Sequence, residues 1–139
     1  MFRVELDQQG NTLAIGYAGN VPPEEAHRCA QEVRVALTKV QPGFRLLVDL
    51  TDLQSMDLAC SALIGSIMEM CNAGGVAEVI RIIPDPKRDI GLQIMSFFHY
   101  GSDVRILTFG SAEEAINLAP EISGQPLASL DRDSSCDLA

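Results

Sequence analysis

The sequence predicts an α/β fold: a mixed five-strand sheet with four α-helices, in the order ββαβαβαβα. Three observations carry that prediction. "FRVEL" and "TLAIGYAG" alternate apolar and polar residues on either side of the Gly-containing "DQQGN", the pattern of a β-hairpin. "FRLLVDL" is a continuous apolar run, as in a strand covered on both faces. Beyond it, short apolar runs alternate with stretches of helical periodicity, which argues for a largely parallel sheet.

The elements follow in order. Residues 2–18 form the hairpin. "VPPEEAHRCAQEVRVALTKV" is a helix opened by Pro22 and Pro23, with Glu24 and Glu25 where the helix dipole favours acid. Its inner stripe is Ala26, Cys29, Ala30, Val33 and Leu37, and "QPG" ends it. After the central strand, a second helix runs from about Asp57 to Asn72 and stops at Gly74-Gly75. "VAEVIRII" is the next strand. "PDPKRDIGLQIMSFFHYG" becomes helical and ends at Gly101, "VRILTF" is the last strand, and "SAEEAINLA" is a closing helix with Ser111 and Glu114 as a capping box. Residues 1–120 are expected to form one domain. The Ser- and Asp-rich remainder, 121–139, lacks periodicity and is expected to be a flexible tail.

Composition narrows the function. The chain has 139 residues, enough for one core, and 47% are hydrophobic, so it is expected to fold. A net charge of -9 argues against nucleic acid or an anionic membrane as partner, since phosphate contacts need clustered Lys and Arg. No apolar run approaches the roughly 20 residues of a membrane span. "MFRVELDQQG" lacks the layout of a secretion signal, and the protein is expected in the cytoplasm. Cys29, Cys60, Cys71 and Cys136 form no CxxC pair and have no ligand spacing with His27 or His99. Cys29, Cys60 and Cys71 fall in predicted helices among apolar residues and are expected to be small buried hydrophobes rather than a metal or redox site, and no cofactor is implied.

Catalytic patterns are missing. Asp49, Asp52 and Asp57 cluster around the end of the central strand, where ligands of open α/β sheets bind. A phospho-receiver would also need acids after its first strand, yet that region reads "AIGYAGN". Asp57 is expected to cap its helix instead. Ser61 and Cys60 have no evident base, and there is no GxSxG or Walker-type loop. The protein is therefore expected not to be an enzyme.

The second helix is unusually apolar. From Leu58 to Asn72 its only charged residue is Glu69. Leu63, Ile67, Met70 and Cys71 make one stripe, and Ile64 with Met68 make a second patch displaced from it. The following helix shares that excess through Leu92, Met95 and Phe98. Either the two helices cover each other, or they present a patch to another protein or a second copy.

Over residues 2–119 the chain resembles the STAS domain of anti-sigma factor antagonists and sulphate transporter tails. The resemblance rests on element order, on Asp49-Leu50 ending the central strand, on Asp57 opening the next helix, and on the closing Ser111 to Ala115. It implies a STAS-like fold and a non-catalytic regulatory role in bacterial signalling, through a protein partner of the anti-sigma or kinase kind or a second copy. Phosphorylated members carry Asp-Ser-Ser-Gly at that helix start and are modified on the second Ser. Here the stretch is Asp57-Leu58-Ala59-Cys60, so Ala59 stands at the acceptor position without a hydroxyl. Ser55 and Ser61 are the nearby substitutes. In those members the added charge blocks docking, so an Ala there implies permanent competence. The expected partner surface is Asp57, Leu58, Ala59, Cys60, Ser61, Ile64 and Met68, joined by Met95 and Phe98 of the following helix. Two other readings stand beside it: a small-molecule site near Gly19, Asn20 and Asp52, and a homodimer held by the apolar helices.

Overall fold

The computed structural model describes residues 1–84 and 100–123, with the backbone alone for 118–123. The strands are β1 (Phe2–Asp7), β2 (Thr12–Val21), β3 (Arg45–Met56), β4 (Glu78–Ile82) and β5 (Arg105–Phe109). The helices are α1 (Pro23–Leu37), α2 (Ser61–Ala73) and α3 (Ala112–Ser123), with a 3-10 turn at Leu58–Cys60. One five-stranded sheet has the order β1-β2-β3-β4-β5; β1 is antiparallel to β2 and every other pairing is parallel. The expected helix at 88–100, with Met95 and Phe98, lies outside the described residues, as does Cys136.

Side-chain alternation gives the sheet two buried faces. Leu13, Ile15 and Tyr17 of β2, Leu46 and Leu50 of β3 and Val79 of β4 face α1 and α2. Ala14, Leu47, Ile80, Ile82 and Phe109 face the other way, where Ala115 and Ile116 of α3 cover them. That is why β3 opens as an uninterrupted apolar run. At its start Arg45 pairs with Glu78 of β4, Nε to Oε1 3.0 Å, close enough for an ion pair although poorly aligned for a hydrogen bond.

The ends of α1 and α3 obey local chemistry. Pro22 caps α1 and Pro23 opens it. At α3 the Glu114 amide donates to Ser111 Oγ at 3.1 Å, while the Glu114 carboxylate accepts from Gly110 N, one residue earlier than a capping box would place it. This helix also continues through Pro120 to Ser123, past the end expected from its apolar pattern.

Two expectations need correction. The central strand does not end near Leu50; β3 runs to Met56 because two register shifts against β2, after Gly16 and after Gly19, let pairing continue through the polar "TDLQS". The second helix does not begin at Asp57, since a 3-10 turn precedes α2. Its stop was read correctly: Gly74 is the cap, and Gly75 has φ +91, a left-handed backbone that glycine adopts without strain.

Candidate functional site at the start of α2

β3 delivers the chain to this site. Met56 still pairs with Val21, and the Val21 carbonyl also accepts from the Asp57 amide at 3.2 Å and from Cys60 Sγ at 3.6 Å. Asp57 then turns the chain. Its Oδ1 accepts from Ala59 N at 2.8 Å and its carbonyl from Cys60 N at 2.8 Å, so the expected cap is present. The turn places Cys60 inside and Leu58 outside, the latter 87% exposed. Asp57, Ala59 and Ser61 are exposed beside it. The role of Val21 was illegible in sequence, because a main-chain oxygen does this work.

The expected surface therefore divides. Asp57, Leu58, Ala59 and Ser61 share an exposed ridge. Cys60, Ile64 and Met68 are buried in the main core, so the expected exposed patch of Ile64 and Met68 is not formed. The physical reason is that α2 lies on the sheet and beside α1, so two rows of its side chains find cover rather than one. Ile64 and Met68 line an internal apolar cavity of about 40 Å³ with Tyr17, Val48, Met56 and Arg81 among its other walls. Arg81 donates from Nη2 to Thr108 Oγ1 at 2.7 Å.

The three acids do not act together. Asp49 Oδ1 accepts from the amide and hydroxyl of Thr51, at 2.9 and 2.5 Å, which fixes a bend in β3. Asp52 is exposed and borders a cavity of about 120 Å³ with Arg3, Gly16 and Asp49. Ser55 Oγ donates to Asn20 Oδ1 at 2.5 Å, so this substitute hydroxyl is already engaged. Gly19 and Asn20 do not line the Asp52 cavity. Neither of these two cavities reaches the roughly 300 Å³ at which small-molecule sites begin; a larger, open groove of about 490 Å³ lies elsewhere, between β1 and α1.

Burial disfavours the thiolate of each core cysteine. Burial pushes Cys29 up to about 11 and Cys71 up to about 12, and it raises Cys60 as well. Cys29 Sγ lies 3.5 Å from the Tyr17 hydroxyl, whose own pKa burial also raises. Among the described residues no group of three or more His, Cys, Asp or Glu is placed to hold a metal, and no helix is long and apolar enough to cross a membrane.

No protein-family model matches the sequence, and neither does any curated protein. Solved structures do match the fold. An uncharacterised DUF3478-family protein with a SpoIIAA-like fold from Shewanella loihica PV-4 superposes with a TM-score of 0.62 at 16% identity, covering 84% of this chain and 90% of its own. The anti-sigma factor antagonist SpoIIAA in its unphosphorylated form gives 0.57 at 19% identity, covering 86% and 97%. Phosphorylated SpoIIAA, the Bacillus cell fate determinant, gives 0.59 at 19%, covering 86% and 99%. At these identities the likeness is one of fold. The chain has the STAS-like fold of the anti-sigma factor antagonists.

Proposed function

We propose that this protein is a non-catalytic STAS-like interaction module of bacterial regulation, docking a protein partner on the ridge Asp57, Leu58, Ala59 and Ser61. One observation carries the reading: Leu58, a large apolar side chain, stands 87% exposed on a turn capped by the Asp57 carboxylate. An exposed, pre-organised apolar anchor beside a buried core is what protein docking uses. Ala59 stands where phosphorylated STAS proteins carry their acceptor hydroxyl, so this ridge acquires no charge at that position and stays competent. Ser61 opens α2 and is exposed, and it is the nearby hydroxyl open to a kinase. The likeness to SpoIIAA supports a regulatory role of this general kind.

The test is quantitative capture from the native host with three baits: the unaltered chain, Leu58→Asp and Ala59→Glu. A partner retained by the first and lost at least about 10-fold, roughly 1.4 kcal/mol, on both variants supports the reading. A set of captured proteins identical for all three baits ends it. Peptide mass mapping of the protein from its host adds the second arm: no phosphate is expected on Ser61, and a phosphate there would make the ridge switchable.

A further inference from the structure

A second surface lies away from α2, on the outer edge of β1. Among the described residues no strand pairs with that edge. Its main-chain groups can be assigned. Met1 and Ala18 exchange both hydrogen bonds, at 2.7 and 2.9 Å. The antiparallel ladder alternates, so Arg3, Glu5 and Asp7 bond inward to β2, while the amides and carbonyls of Phe2, Val4 and Leu6 point out from the free edge. Natural edges are usually blunted by Pro, by bulges or by charged side chains, Lys above all. "FRVELD" has no Pro, Lys or bulge; its charges, Arg3, Glu5 and Asp7, are of both signs, and its register with β2 is unbroken.

We propose that a second copy of this chain pairs with β1, antiparallel and centred on Val4, joining two sheets into one of ten strands. Parity and charge select this register. Only Phe2, Val4 and Leu6 offer outward main-chain groups, so they must be the hydrogen-bonded pairs across the axis. Five two-fold arrangements satisfy that, and those centred on Phe2 or Leu6 make a single hydrogen-bonded pair. One centred on Arg3 sets Arg3 against its own copy. One centred on Glu5 sets Glu5 against its own copy, although it also sets Arg3 opposite Asp7; like charges directly opposite destabilise a sheet. Centring on Val4 sets Arg3 opposite Glu5 of the second copy, twice by symmetry, in the closely spaced non-hydrogen-bonded pairs. Phe2 then meets Leu6 of the second copy and Val4 meets its own equivalent, with up to about six main-chain hydrogen bonds between them.

The side chains around the edge fit this occupant. Arg3 and Glu5 lie on one face, 3.7 Å apart and partly exposed, so the pairing makes a four-charge cluster at the surface. Phe2, Val4 and Leu6 lie on the other, toward α1. There an open groove of about 490 Å³ runs between β1 and α1, floored by Val4, Leu6 and Ala36 and bordered by Val35, which is 60% exposed, and by the polar side chains Arg28, Gln31, Glu32 and Lys39. Continuing the sheet brings the α1 helix of the second copy to the same side, where it covers this groove. A Val on the outer face of α1 then has an apolar neighbour instead of water.

Light scattering coupled to size exclusion, over a wide range of concentration, tests the proposal on five chains: unaltered, Arg3→Glu, Glu5→Arg, the double reversal R3E/E5R, and Val4→Pro. Circular dichroism monitors folding. The unaltered chain should be a dimer. Each single reversal should weaken the dimer at least about 10-fold, and the double reversal should restore it. Val4→Pro removes an outward amide together with part of the packing of Val4 on the core, so it should fold with lowered stability and be monomeric. If a single reversal fails to fold, the double reversal and Val4→Pro still decide. A monomer at every concentration overturns the proposal, as does a dimer indifferent to Val4→Pro and to the reversals. Leu58→Asp should leave the dimer intact, which separates this edge from the ridge at the start of α2.

Discussion

Asp57 shows how one side chain sets a site. Its carboxylate holds the Ala59 amide, and that bond orients Leu58 outward and Cys60 inward. Asp57→Ala is expected to cost about 1 kcal/mol, within the range of lost caps, while Asp57→Asn retains an acceptor and should cost less; urea midpoints of the two variants check this. Cys29 makes a second residue-scale prediction. Its folded pKa, about 11, lies above the ordinary 9.0 because burial disfavours the thiolate. Its stabilising contribution is therefore fully present below pH 9, and it is lost as pH rises through 11, where the unfolded chain sheds the proton first. Unfolding midpoints measured across that window should fall, and Cys29→Ala should flatten that part of the slope. A thiol reagent at neutral pH should leave Cys29 and Cys71 untouched until the chain is denatured.

At the scale of elements, the covering of α2 decides what its apolar excess means. Ile67 is buried between helix and sheet, so Ile67→Ala should cost about 2–5 kcal/mol. Ile64→Ala and Met68→Ala should likewise lower stability, because both side chains are core rather than surface. A melting temperature unchanged by these two would contradict the packing described. The Arg45–Glu78 pair is a buried charge at the start of β3 and β4. Removing Glu78, as in Glu78→Ala, takes the paired carboxylate from a buried guanidinium and should cost about 3–5 kcal/mol. Replacing both with apolar residues of similar volume should recover most of that loss.

For the whole molecule, the question is how much chain the fold needs. We propose that residues 1–123 suffice for it, since the polar remainder of the sequence has no apolar periodicity. A chain cut after Ser123 should melt with the full-length protein. A fall of more than about 4 °C, the shift that roughly 1 kcal/mol gives in a chain this size, would assign the last residues a place in the core. The molecule then offers two separate surfaces. The ridge around Leu58 lies at the carboxyl end of β3, and the edge of β1 lies at the rim of the sheet. They differ in kind: one is an apolar anchor, the other a row of main-chain donors and acceptors flanked by opposite charges.

The sequence by itself determined the hairpin, the strands, the α1 stripe and the Asp57 cap, because each rests on local chemistry: alternation, proline and glycine geometry, or a short side chain bonding two residues on. It also determined that Ala59 lacks a hydroxyl. Tertiary structure alone decided that Ile64 and Met68 point inward, since the apolar rows of a helix do not reveal how many neighbours it has. It alone decided that β3 continues through a polar stretch, because the pairing partner, β2, is more than thirty residues away and the register shifts are not written in either strand. Val35 carried a faint signal, an apolar residue off the inner stripe of α1. The meaning of that position came only when the fold set it beside the open edge of β1.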